Sequence, residues 1–383
     1  MKKVILTIVF TLAILVGLMA AFSTAASADN DNGDWDSHSG NTGAVFTMTN
    51  PPSARNYVIM FNRDAHGALT LVGSFATGGN GGLNRSGLPA DPLMSQGSLM
   101  LTQDGKWLLA VNAGSGSVSV FQVKNNGLTL TDQESSGGSF PVSLTISGNE
   151  VFVLNAASPN ISGFNLSNTG KITAIGSSTI ALPTTGSSAS YFYTQVGFDN
   201  SGKWLAVSDL GDNMILTYAV NSGVPSGVQT FASSGPAPFA FLFDARNNLI
   251  SVQAGNSAVS SYSISHSGVL TPIVEAFNPT SHPACWIVED QSNDIFTTNP
   301  GTTNISSYQD LDNSGNIGWL TASAASGIAT IDEGITNDGD FLYALAPGVG
   351  IDGYKISGDG SLKLVGTYPA SGITGASQGL AAW

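Results

Sequence analysis

The sequence predicts an all-β protein, a seven-bladed β-propeller of four-stranded antiparallel blades closed by a strand from the C-terminal residues. Three observations predict it. The first is a strand pattern, a β-branched residue followed three positions later by Phe or Tyr. It occurs at Val58–Phe61, Val118–Phe121, Ile161–Phe164, Ile215–Tyr218, Val259–Tyr262, Ile305–Tyr308 and Ile351–Tyr354. In a strand those two side chains face opposite ways, so each such strand is covered on both faces, as in sheets stacked around a ring. The second is spacing: the aromatic position advances by 43 to 60 residues, which suits one blade per repeat. The third is composition. The 383 residues include 46 Gly and only 10% charged residues, which favours short strands and tight turns over long helices. Length alone allows two or three domains, but a continuous repeat makes one ring the better count.

Residues 1–28 read as a secretory signal: Lys2 and Lys3, an apolar run from Val4 to Phe22, and Ala26-Ser27-Ala28 as an A-x-A cleavage site. An uncleaved anchor is the alternative for a run of this length. Cleavage would give a secreted or periplasmic protein and would take the formal charge from −14 to −16, because two Lys and no acids leave. Such acidity argues against nucleic acid and anionic membranes as partners. Residues 29–43 are acidic and rich in Gly and Asn without hydrophobic periodicity, so they read as a flexible leader. The propeller is expected over residues 44–383, as a monomer. Cys285 is the single cysteine, which excludes an intramolecular disulfide.

The clearest repeat starts with Ser95 to Leu101 as an inner strand. A turn at Gln103 to Lys106 leads to the strand Trp107 to Val111, and Asn112 to Gly116 turns into the Val118 strand. Asn125-Asn126-Gly127 is a hairpin signal before the outer strand. Similar turns recur at Asn168 to Gly170, His266 to Gly268, Asn313 to Gly315 and Gly358 to Gly360. The first unit begins at Val45 to Thr49, which matches a second strand. Its missing inner strand is supplied by Ser377-Gln378-Gly379-Leu380, similar to Ser95-Gln96-Gly97-Ser98-Leu99, so the two chain ends should pair and leave no open edge. Two units carry extra residues, around Gly78 to Met94 and Leu182 to Tyr193, in the connections from an outer strand to the next inner strand. These connections share a face with the loops between second and third strands, and function is expected there. Asn112, Asn155, Asp209, Gln253 and Asn299 stand nine residues before successive aromatics, with Asn50 in the matching place of the first unit. They are expected to cap turns, with a ligand-binding polar ring as the other reading.

The seven units, the Asp104-Gly105-Lys106-Trp107 turn and Val111-Asn112-Ala113-Gly114-Ser115 make the region from about Gly43 to Trp383 resemble the lactonase family of seven-bladed propellers, which includes 6-phosphogluconolactonase-like and 3-carboxymuconate-cyclase-like proteins. Leu109 to Asn112 with Ser117 to Val120 also resembles the Tyr-Val-Thr-Asn type of surface propeller, a binding or scaffold module. The first resemblance implies lactone hydrolysis or cyclisation by His, Arg and Glu around the central channel. The second implies no catalysis.

Lactone opening needs a base for water and a donor for the developing oxyanion. His282, at the start of an inner strand, is the candidate base, with Glu333 inside the last inner strand and Arg85 on the loop face as catalytic partners. Gln96, Gln195, Gln378 and Arg55 are candidate substrate-binding residues. Each also has a structural reading: a hydrogen-bonded junction for His282, a partner of backbone amides for Glu333, surface loops for the two Arg. Cys285 reads as a buried small hydrophobe beside the alternative of a nucleophile. His38, His66 and His266 lie in the leader or at hairpin turns. Asp310-Leu311-Asp312-Asn313-Ser314-Gly315 resembles the start of a calcium loop, but Thr321 stands where the bidentate Glu belongs, so no metal is expected. No Gly-rich phosphate loop is present and no cofactor is expected. The expected partner is a small molecule in the central channel, and the scarcity of Lys and Arg points to an unphosphorylated one.

Overall fold

The computed structural model describes residues 41–84, 91–184, 192–278, 284–312, 314–327 and 329–383. Among them the chain forms seven antiparallel sheets and no helix. Blade 2 shows the unit most simply: Leu99–Leu101, Trp107–Asn112, Ser117–Lys124 and Gly127–Ser135 are hydrogen-bonded in that order. Blades 4 to 7 repeat it from inner strands Tyr193–Phe198, Pro238–Phe243, Trp286–Glu289 and Ile331–Ile335. Blade 3 starts with Pro141–Ser147, and its outer strand is split into Ile172–Ala174 and Ile180–Ala181, both paired with Asn160–Leu166. Blade 1 joins the chain ends. Its inner strand is Gln378–Ala382, paired antiparallel with Asn41–Met48 and then followed outward by Arg55–Asp64 and Leu69–Asn80. Inner strands touch their neighbours from blade 1 round to blade 7 and back. The ring is therefore closed by the C-terminal strand, as the sequence predicts.

The repeated Val/Ile-x-x-Phe/Tyr strand is the third of each blade. All seven aromatics are buried, and so are the β-branched partners facing the other way; the core thus runs between blades around the ring. Interblade contact is tightened by a second repeated pair. The Gly170 hairpin of blade 3 lies on the Trp107 ring of blade 2, so close that a Cβ would sit 2.1 Å from Cζ3. Gly268 does the same on Trp204, again 2.1 Å, and Gly67 lies on Phe341. These glycines have φ between 73° and 81°, which L-residues with a Cβ adopt only at a cost. On that lower face, aspartates cap the turns between inner and second strands: Asp199 Oδ1 accepts from the Lys203 and Trp204 amides, and Asp244 Oδ1 from those of Arg246 and Asn248.

Two expectations change. Ser95 to Ser98 do not pair as strand; regular pairing in the blade 2 inner strand begins at Leu99. The polar residues that end second strands are mostly not turn caps. Only Asp209 bonds amides of its own turn, at Gly211 and Asp212. Asn112 donates to Ser117 and Ser119, Asn299 to Ser306, and Asn155 to Asn160, while Gln253 accepts from Ser260. These side chains are buried, and their partners are mostly polar side chains of the following strand; Asn50 instead bonds the Gly82 amide and carbonyl of the connection into blade 2.

Candidate functional site in the upper channel

The inner strands start on the face that carries the outer-to-inner connections, and their first residues line the upper channel. Across it run two contacts between blades 2 and 6. The Gln96 Nε2 donates to the Ile287 carbonyl at 2.9 Å while its Oε1 accepts from the Ile287 amide at 2.9 Å. Beside them the Trp286 indole donates to the Ser95 carbonyl at 2.9 Å and packs edge-on against Phe239. Leaving strand pairing at Ser95 to Ser98 is what lets Gln96 reach over. Gln195 bridges neighbouring blades 4 and 5 in the same two-bond way through the Phe241 backbone, with both distances 2.8 Å. Gln378 accepts from the Leu93 amide at 2.9 Å and donates to Asp91 Oδ1 at 2.8 Å. The three glutamines expected to meet a ligand thus have both ends of their amides committed to protein groups.

Linked to this crossing through Gln378, which also donates to the Ser95 carbonyl, are buried acids of which the sequence singles out only one. Asp332 and Glu333 enter from the blade 7 inner strand and Asp91 from the connection between blades 1 and 2. Asp332 is 3% exposed and its Oδ2 accepts from the Gly379 amide at 2.8 Å. Glu333 Oε1 accepts from the Thr298 amide at 3.2 Å, while its Oε2 is buried without a partner. Asp91 Oδ1 also accepts from the Met94 amide at 2.8 Å. Burial raises all three, against the pull of these hydrogen bonds: Asp91 to about 7, Asp332 to about 8 with Asp91 adding to the rise, and Glu333 well above the carboxylate range. Burial thus favours the protonated form of these carboxyls toward neutral pH. Cys285, at the start of the blade 6 inner strand, is pushed up to about 12 by burial and then by Asp91, which leaves a protonated thiol and no ready nucleophile.

Of the residues singled out in the sequence, Glu333 is one of these acids, Gln378 holds Asp91, and Gln96 is bound to Ile287. Arg55 is exposed at the start of the blade 1 third strand, with no ion pair to these acids among the described residues. His282 and Arg85 lie outside the described residues. Asp332 carried the same signal as its neighbour Glu333, a charge inside an inner strand. Asp91 gave only its place in an extended connection before Pro92. Glu289 lines a cavity of about 350 Å³ that Gln96 and Ile287 also border, with Leu242, Phe243 and Val288. Burial first, and then Asp244, Asp310 and Asp290, push its carboxyl to about 8. Among the described residues no group of His, Cys, Asp and Glu is placed to hold a metal ion. At the calcium-like stretch, Asp310 spends its oxygens on the Ser314 and Gly315 amides of its own turn.

Comparison with known proteins agrees with this architecture. Residues 53–187 match the family described as lactonase, 7-bladed beta-propeller. No curated protein matches the chain significantly. Among solved structures, the Pseudomonas aeruginosa periplasmic gluconolactonase PpgL is 13% identical, covers 89% of this chain and 98% of its own, and superposes with a TM-score of 0.70. A candidate 6-phosphogluconolactonase from Bacteroides fragilis is 17% identical over 91% of this chain and 100% of its own, with a TM-score of 0.68. At such identities the structural likeness speaks for the fold. Residues 53–187 thus resemble the lactonase propellers in sequence, and the described residues form a seven-bladed β-propeller.

Proposed function

We propose that the protein is an exported lactonase-like enzyme that hydrolyses, or in reverse forms, a small unphosphorylated lactone in the upper channel. The observation that carries this is the buried pair Asp91 and Asp332, joined through Gln378, with Glu333 on the other side of the same blade 7 strand and burial favouring the protonated form of all three. In hydrolysis, water adds to the ester carbonyl, the ring C–O bond breaks, and the ring oxygen leaves as a hydroxyl after taking a proton. A carboxyl near its pKa at working pH can give that proton and be reloaded from the attacking water. His282 as base and Arg85 as oxyanion partner complete the set on the sequence argument. Export rests on residues 1–28, which lie outside the described residues.

The same group argues for a neutral substrate. Asp332 feels Asp91 as its charged neighbour, and a phosphate placed beside such acids would meet like charge as they ionise. Turnover of 6-phosphogluconolactone is therefore not expected, although a structural neighbour is assigned to that substrate. One observation favours a second reading, a non-catalytic binding propeller: Asp332 and Glu333 each already accept a backbone amide, as structural acids do.

A pH-indicator screen of unphosphorylated lactones tests the proposal, since opening releases a proton at neutral pH. Asp332→Asn, Glu333→Gln and His282→Ala are each expected to lower the rate by about 10²–10⁴-fold in a protein that still folds and melts cooperatively. A blank screen, or rates untouched by all three changes, would leave the binding propeller as the better account.

A further inference from the structure

Beside the acid group, on the same face, lies a cavity of about 280 Å³ bounded by Leu83, Leu93, Phe140, Phe192 and Tyr193, with Asn84 at one side. Its walls come from three blades. Leu83, Asn84 and Leu93 belong to the connection into blade 2, Phe140 to the approach to blade 3, and Phe192 and Tyr193 to the start of blade 4. The walls are set by specific contacts. Tyr193 is 1% exposed and its hydroxyl donates to the Pro183 carbonyl, so only the ring is offered to the cavity. Phe140 is held at φ 59° before Pro141. Blade 5 has the same kink at Ala237, φ 58°, before Pro238; the kink belongs to the fold, and the aromatic ring there is particular to blade 3.

Two wall residues tie the cavity to the acids. Asn84 Nδ2 donates to the Asp91 carbonyl at 2.9 Å, and the Leu93 amide donates at 2.9 Å to Gln378, which holds Asp91 Oδ1. The cavity thus abuts the segment that carries Asp91, two residues from its Leu93 wall, while its other walls are aromatic and aliphatic carbon. Leu83 is left 39% exposed at the rim, apolar surface that an occupant would cover. The volume is at the small end for a ligand site and fits a side group better than a whole cofactor or a peptide segment.

We propose that this cavity receives an apolar substituent of the ligand whose polar end meets Asp91 and Asp332, so that the substrate class is a lactone carrying a short alkyl or aryl group. The assignment rests on the lactonase-like reading for the polar end and on the cavity alone for the apolar end. Binding of γ-lactones with methyl, butyl and hexyl substituents, measured by calorimetry on the full mature chain carrying Asp332→Asn, separates the two. Affinity is expected to rise by about fourfold per methylene until the cavity is full. Ala156, whose amide is held by the Phe140 carbonyl, also lines the cavity. Ala156→Phe should flatten the series while leaving the methyl compound's affinity unchanged, and Leu83→Trp at the rim gives a second blocking variant should the first fail to fold. A series that is flat in the unblocked chain, or equally steep in a folded blocked variant, overturns the proposal. A steep, blockable series in a protein that turns over no lactone upholds the cavity and removes the hydrolytic reading.

Discussion

Gln96 and Ile287 belong to blades 2 and 6, yet one side-chain amide closes two hydrogen bonds of 2.9 Å on one backbone unit. The amide imitates a strand partner where no strand can lie, and it ties the ring together across its middle. Gln96→Ala would leave the Ile287 amide and carbonyl without partners, at a cost of about 1–3 kcal/mol for each buried group. Gln96→Glu keeps the shape but sets a carboxylate oxygen against the Ile287 carbonyl, so it should be no milder. Chemical denaturation of the two variants checks this. Wild-type stability in both would show that the crossing contributes nothing.

A second expectation concerns the glycine on the ring. Gly170→Ala places a methyl inside the Trp107 indole at a positive φ, and a loss of about 2–4 kcal/mol follows from strain and overpacking together. Gly148, at φ 58° with nothing near its Cβ position, is the control: Gly148→Ala should cost only the backbone part, about 1–2 kcal/mol. Equal losses at the two sites would mean that the indole yields freely.

The buried acids make a prediction about pH. A carboxyl whose pKa is raised on folding keeps its proton in the folded state and gives it up on unfolding. The stability it contributes is complete below the ordinary value of 3.8 and is lost as pH rises through the folded value, about 7 for Asp91 and about 8 for Asp332. Thermal stability should therefore fall across that window. Asp332→Asn should shrink the fall, and melting curves recorded over the same pH range would show whether it does.

How much of this was legible in the sequence depends on distance along the chain. The third strands announce themselves through Phe61, Phe121, Phe164 and their successors, because a strand buried on both faces must repeat its pattern locally. The closing strand was legible because Ser377-Gln378-Gly379 echoes Ser95-Gln96-Gly97. What those glutamines do was not, since Gln96 finds its partner 191 residues away and nothing near either residue marks the pair. Glu333 stood out as a charge in an apolar strand. Asp91 could not, because its proton is held by burial beneath elements drawn from blades 1, 2 and 7.

Removing Ala376 to Trp383 tests the closure directly. The cut takes away the pairing of Gln378–Ala382 with Asn41–Met48, the Gln378 bonds that hold the blade 2 connection, and the Gly379 amide that faces Asp332. A large drop in melting temperature and a shift to aggregates on size exclusion are expected. A truncated protein that melts like the full chain would show that blade 1 stands without its fourth strand.

That same pairing gives the molecule a clock. A chain synthesised as far as residue 377 contains every strand of six sheets and lacks only the innermost strand of the seventh. Until Gln378 to Ala382 emerge, Val45, Phe46 and Thr47 have no partner on that side. The first strand synthesised therefore waits longest for its neighbour. A pause or stop before Gln378 acts on an open ring whose unpaired edge is Asn41–Met48.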